Sequence, residues 1–196
     1  MTASSSKRPS QSMKDAASIA SRVFGGTRAV HEYLDQDERV SIPILECVGS
    51  PSPGWSNVST VGLHRYPNHL DDQSLRVEFM ATAASDARTI ANVIATAAFS
   101  VIKDGWLAAP GVVFPDAVGM YFPHSTTPHV MWSEPFSYEQ LSSVAISGIG
   151  EVHWLLAVPL ADTEVEVLHT RGHDFLDALL GEHGVDHHDL YRDPVC

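Results

Sequence analysis

The chain has 196 residues, 44% of them hydrophobic, which suffices for an ordinary globular core and excludes disorder of the whole. Its 24 acidic and 12 basic residues give a net charge of −12, so nucleic-acid phosphates and anionic membranes would be repelled and a basic partner attracted. No apolar run approaches the roughly 18 to 20 residues of a membrane-spanning helix, and the N-terminal segment lacks the apolar stretch of a secretory signal, so a cytoplasmic location is expected. Cys47 and Cys196 form no disulfide framework, in keeping with a reducing compartment.

Residues 1–12, MTASSSKRPSQS, have nothing to bury and read as a disordered tail before one domain over 13–196. From Met13 to Phe24 the residues Met13, Ala16, Ala17, Ala20, Val23 and Phe24 step at helical spacing, and Gly25-Gly26 ends the pattern. A second short helix is expected through His31, Tyr33 and Leu34. The run VSIPILECVG (40–49) is rich in β-formers but carries Pro43, which places it at a sheet edge or a bulge. A strand with a weak point at Gly62 is predicted over 57–66, where a bulge or close backbone approach is expected. In LRVEFMATA (75–83) apolar and polar residues alternate, as in a half-buried strand.

Ile90, Val93, Ile94, Ala97, Val101 and Ile102 mark the clearest helix, opened by Ser85 or Asp86, closed by Gly105 and lying across the sheet. From 106 to 136, seven prolines and glycines restrict the chain to short strands such as GVVF and HVMW. In VHWLLAVPL, Val152, Trp154, Leu156 and Val158 face one way and Leu155 and Ala157 the other. Both faces are apolar, which predicts a central strand with Pro159 at its end. Asp162 is the expected cap of the next helix, with Glu164 favourable in its first turn. Gly172 ends that helix, and another follows with Phe175, Leu176, Leu179 and Leu180 on one face.

Several residue clusters are candidates for chemistry. His169, His173, His183, His187 and His188 crowd the last 28 residues, but Gly172 separates the i, i+4 pair His169 and His173, and no Cys-x-x-Cys or His-Glu-x-x-His pattern adds ligands. The bland reading is solvated histidines near helix ends. SVAISGIG lacks the nucleophile elbow, and in GSPSPG proline adjoins serine. Cys47 reads as a small buried hydrophobe. Asp71 with Asp72, and Asp186 with Asp189, are turn formers more readily than acid–base pairs. Trp55, Trp106, Trp132 and Trp154 fit a core or an interface better than a base-stacking platform. No phosphate-binding glycine loop is present, and no metal or other cofactor is expected.

The succession STVGLHRYP, LRVEFMATA, the helix from Asp86, APGVVFP, PHVMWSEP and VHWLLAVPLADTEVEVLHTRGHDFLDALL resembles the suppressor-of-fused domain family over roughly residues 40–193. Its most specific block is the strand ending in Val-Pro-Leu, followed by Thr-Glu-x-Glu, a glycine and Phe-Leu-x-x-Leu-Leu. The resemblance implies an α+β domain with a twisted mixed β-sheet and helices packed against it, and no catalysis. Animal members hold a transcription-factor peptide as an added strand, and this chain resembles only their first domain. Where they carry an acid after the glycine of APGVV, Val112 stands here. Free-standing bacterial members resemble immunity proteins of toxin–antitoxin type.

The expectation is therefore a non-enzymatic module that occludes a protein partner, such as a basic toxin domain. Strand addition is looked for first at Gly111, Val112, Val113 and Phe114, and at the strand from Ile42 to Val48. The rivals are a metal-dependent hydrolase using the late histidines and a regulatory scaffold without a toxin.

Overall fold

The computed structural model describes residues 8–70, 73–84 and 87–196. In chain order the elements are α1 (Gln11–Phe24), β1 (Thr27–Leu34), β2 (Ser41–Val48), β3 (Ser56–Thr60), β4 (His69–Leu70), β5 (Gln73–Ser74), β6 (Val77–Ala83), α2 (Ala87–Asp104), β7 (Val113–Phe114), β8 (His129–Ser133), β9 (Val144–Ile146), β10 (Gly150–Leu160), α3 (Asp162–Arg171) and α4 (His173–Glu182). The main sheet runs β1-β2-β3-β6-β10-β8-β7, with β9 paired to the start of β10. Among the described residues only β6 and β10 pair in parallel, so the sheet is mixed and the fold is α+β, as expected.

Strand β10 explains the layering. Leu155 and Ala157 join a core covered by Ile90, Val93, Ile94 and Val101 of α2. Val152, Trp154, Leu156, Val158 and Leu160 join a second core, covered by Met13, Ala16 and Ala20 of α1 and by Leu168, Leu176 and Leu180 of α3 and α4. A strand apolar on both faces needs a cover on each, and the helices divide accordingly.

The neighbouring β6 corrects the half-buried expectation, because all seven of its residues are buried. Its even face carries Glu78, whose carboxylate accepts from Gly62 N (2.6 Å), Leu63 N (3.2 Å) and the Thr60 hydroxyl. His64 Nδ1 lies 2.5 Å from the same group. A buried carboxylate is tolerated there because its lone pairs are filled.

Other boundaries also move. The expected second helix at His31–Leu34 is strand β1, because pairing with β2 outweighs a short and ambiguous pattern. Strand β2 lies inside the sheet between β1 and β3, not at an edge. Pro43 is accommodated because its carbonyl accepts from Val61 N (2.8 Å) just past the last β2–β3 pair, Ile44 with Thr60. Only the end of the ladder loses a donor.

Strand β3 stops at Thr60, where the predicted strand ran on to Tyr66. Gly62, at φ 107°, turns the chain into a short 3-10 helix, and a Cβ there would lie 3.1 Å from the Met13 side chain, the expected close approach. Ser10 Oγ accepts from Met13 N (3.4 Å), so α1 begins inside the expected tail; residues 1–7 lie outside the described residues. The expected caps Ser85 and Asp86 lie outside them too, whereas Gly105 closes α2 at φ 68°. Ala161, not Asp162, occupies the N-cap of α3, and the Glu164 carboxylate reaches back to Ala161 N (2.9 Å). On α4, Leu176 and Leu180 are buried, but Phe175 is exposed under the Arg171 guanidinium, 4.0 Å from its ring.

Candidate functional site

Strand β7 forms one edge of the sheet. Ala109-Pro110-Gly111-Val112 makes a turn closed by Val112 N to Ala109 O (3.1 Å), with Gly111 at φ 82°, the arrangement of a type II turn. Gly111 N then donates to Trp132 O (2.8 Å) and Trp132 N to Val112 O (3.0 Å), tying the segment to β8 before Val113 and Phe114 pair with Met131 and Val130. By strand alternation Phe114 directs its main chain toward β8 and Val113 directs its own outward. Pro110 and Pro115 flank the segment, so a partner strand would find a single residue's donor and acceptor free.

More distinctive is what surrounds this edge. On the α2 side, Phe114 is buried against Trp132 (5.6 Å between ring centroids) and Trp106 (5.0 Å), and Trp106 is 42% exposed. On the other side, α4 abuts Gly111, where an added Cβ would lie 3.4 Å from the His173 ring. Asp162, almost fully exposed at the start of α3, lies 2.8 Å from His129 Nε2 on β8. Asp174 adjoins His173 at the start of α4 and is fully exposed. The edge is thus bordered by an aromatic face and by exposed carboxylates.

The C-terminal segment ties down the start of α3. Arg192 Nη1 and Nη2 donate to Glu164 Oε1 and Oε2 (2.6 and 2.7 Å), and Nη2 also donates to Pro159 O (3.1 Å). Val195 N adds a bond to Glu164 Oε1 (3.2 Å). Burial pushes the Glu164 carboxyl up, but the guanidinium and the Ala161 and Val195 N–H groups outweigh it, leaving it below the usual carboxylate range. The Leu190 carbonyl accepts from Ser125 Oγ (2.6 Å) and Thr127 Oγ1 (3.2 Å), binding the same segment to the loop before β8. Sequence reasoning placed Glu164 in the first turn of α3, where it stands, but missed its burial against Arg192, which comes from 28 residues further along the chain.

The histidines do not converge. His169 is exposed, His173 packs on Gly111, and His183 Nδ1 lies 2.9 Å from Leu179 O in its own helix. His187 stacks edge-on to Phe136 (5.2 Å), and His188 meets Trp55 (5.4 Å). Among the described residues no three His, Cys, Asp or Glu side chains are placed to hold an ion. Cys47 is fully buried, which pushes its thiol up to about 11, and Cys196 is exposed.

Ser50 donates its hydroxyl to the Phe24 carbonyl, and Ser147 sits in the exposed β9–β10 turn. Asp186 and Asp189 accept from His188 N and Tyr191 N (both 2.9 Å), as turn formers do; Asp71 and Asp72 lie outside the described residues. Trp132 stacks on Phe79 (3.7 Å) and Trp154 Nε1 donates to Ser59 Oγ (2.9 Å), so both belong to the core.

At the opposite edge, β1 pairs only with β2 among the described residues, and Val30 and Leu34 are 52% and 55% exposed. Sequence reasoning missed this edge by reading part of it as helix. A concavity of about 390 Å³ beside it is lined by Arg28, His31, Glu46, Trp55 and Arg88, and its carboxylate, Glu46, accepts from the Tyr33 hydroxyl (2.8 Å).

Comparison with known proteins fits this picture of surfaces around a shared sheet. The chain is 33% identical over 174 residues to the immunity protein YqcF of Bacillus subtilis (strain 168), covering 88% of this chain and 91% of that one. Its fold matches a suppressor-of-fused homologue from Neisseria gonorrhoeae FA 1090 with a TM-score of 0.72 at 14% identity, covering 94% and 97% of the two chains. A suppressor-of-fused chain in the Sufu–Fu complex matches with a TM-score of 0.68, also at 14% identity, over 94% and 92%. Residues 38–193 match the family described as suppressor of fused protein, and with so much of the chain matched, this protein belongs to the suppressor-of-fused family.

Proposed function

We propose that the protein is an immunity protein that binds a cognate toxin and silences it by occlusion, without catalysis. The observation that carries this reading is the near full-length similarity to an immunity protein. The surface chemistry supports it. Between Asp162 and Cys196 stand nine carboxylate residues and two arginines, and one of each, Glu164 and Arg192, is buried as a pair. What remains outside is a strongly acidic end of the molecule, set beside Gly111, Val112, Val113 and Phe114.

A basic toxin domain would be drawn to that surface at long range and held by the Trp106 and Phe175 rings at short range. Binding there is through side chains and charge, since β7 offers little main chain to a partner strand. The protein would act in the cytoplasm, where a toxin must be held in check; no helix among the described residues is long and apolar enough to cross a membrane.

The test is co-expression with proteins encoded beside it. A neighbour that arrests growth alone, is tolerated with this protein and co-purifies with it supports the reading. Replacing Asp174, Asp177 and Glu182 by lysine should slow association at least tenfold and remove its salt dependence. Absence of any toxic neighbour that co-purifies would overturn the proposal.

A further inference from the structure

We infer that β1 is a self-association edge, at which two copies of this chain join antiparallel about a two-fold axis through Val30. The main chain supplies the first part of the argument. Pro43 directs its carbonyl to Val61, just past the end of β3, so its β1 partner Glu32 directs its own main chain away from β2. By alternation, Arg28, Val30, Glu32 and Leu34 all present their N–H and C=O groups outward, while Thr27, Ala29, His31 and Tyr33 face β2. Four consecutive outward positions with no strand beside them among the described residues are a template for another strand.

The side chains then select the occupant. Identical antiparallel strands related by a two-fold axis pair residues whose numbers have an even, constant sum. With Val30 opposite Val30 of the second copy, Arg28 stands opposite Glu32 and Glu32 opposite Arg28, all as main-chain-bonded pairs on one face. Both charged residues are exposed. Centring the pair on Arg28 opposes two arginines, and centring it on Glu32 opposes two glutamates. Centring on Ala29 puts Arg28 against Val30; centring on His31 puts Glu32 against Val30 and Arg28 against Leu34. Of the registers available to β1, only the Val30-centred one pairs opposite charges and buries an exposed apolar residue at the axis. A strand complementary to itself in this way fits a second copy of the same chain.

The contact is narrow, about six main-chain hydrogen bonds with the side chains around them, so the dimer should form in the micromolar range. It would leave β7 and the α3–α4 face free at the far ends of the joined sheet. This inference does not rest on the immunity reading.

Mass in solution tests it, by light scattering and sedimentation of the full chain. The mass should rise with concentration from 21.3 kDa toward twice that value, with the dimer dominant at about 100 μM. Val30→Pro removes an outward donor and no β1–β2 bond, so it should give a folded monomer with an unchanged melting temperature. Arg28→Glu and Glu32→Arg should each weaken the dimer at least tenfold, and the double reversal should restore it. If Val30→Pro fails to fold, the charge-reversal cycle decides alone. A wild-type chain that stays monomeric at about 100 μM, a dimer indifferent to Val30→Pro, or single reversals without effect would overturn the inference. So would a folded Val30→Pro variant that loses capture of a toxin, which would assign β1 to the toxin instead. A monomer that still protects against a toxin removes this inference and leaves the proposed function standing.

Discussion

At β7 the sheet ends in two strand residues set between Pro110 and Pro115, under Trp106 on one side and α4 on the other; at β1 it ends in eight residues with both faces largely exposed. The first edge is shortened and covered in the manner that prevents strand addition. Among the described residues the second is protected only by the polar side chains of Arg28, His31 and Glu32. The two ends of the sheet therefore differ in what they expose: aromatic rings and carboxylates around β7, and unpaired main-chain groups along β1. Of the two segments expected to take an added strand, Gly111–Phe114 lies at the short, covered edge and Ile42–Val48 lies inside the sheet.

The largest break in this comparison should come from Arg192→Met, which strands the Glu164 carboxylate in the core and releases the strap behind β7. A loss of about 3–5 kcal/mol is expected in urea unfolding. The double change Arg192→Met with Glu164→Leu should recover most of it, because a buried pair replaced by apolar residues is often neutral. A mild single variant would mean that the covered edge does not depend on the strap.

Next is Gly111→Val. The residue's φ of 82° strains any L side chain, and the new branch would press on His173. A cost of about 1–3 kcal/mol is expected in thermal melts, with no change in self-association.

A smaller effect concerns pH. Burial first, and then the Arg192 charge, lower the pKa of His187 below its ordinary 6.5. A histidine depressed in the fold favours the native state above its unfolded pKa, and that contribution is lost as pH falls through the folded value. Wild type should therefore lose stability as pH falls below the ordinary histidine value of 6.5. His187→Phe, still able to pack on Phe136, should flatten that slope.

The smallest effect belongs to the open edge. The Lys103 ammonium, 2.7 Å away, and the Val40 N–H hold Asp35 at about 2, below its ordinary 3.8. Its contribution is complete above the unfolded value and fades as pH falls through about 2. Lys103→Met should narrow that window and speed hydrogen exchange at the Arg39 and Val40 amides, both bonded to Asp35 Oδ1. Global stability should barely move.

How much of this could be read from the chain varied with the length and periodicity of each segment. Strand β10 and helix α2 were legible because long runs of Leu, Ile, Val and Trp leave few alternatives. Strand β1 was not: in TRAVHEYL polar and apolar residues mix over eight mostly exposed positions, and pairing with β2 decides the conformation. The burial of Glu78 and of Glu164 went unseen for a common reason. A carboxylate is written the same way whether water or buried donors satisfy it, and Gly62, Leu63 and Arg192 are brought to these two by the fold. At β7, the turn glycine Gly111 and the flanking prolines were visible, but the packing of His173 and Trp106 around that edge came from segments far away in sequence.

The parallel pairing of β6 with β10 also bears on how the chain is made. During synthesis β6 emerges well before Gly150–Leu160, and until then it lacks the neighbour that completes both cores. Ribosome-bound nascent chains should therefore be open to proteases and reliant on chaperones until α3 has cleared the exit tunnel.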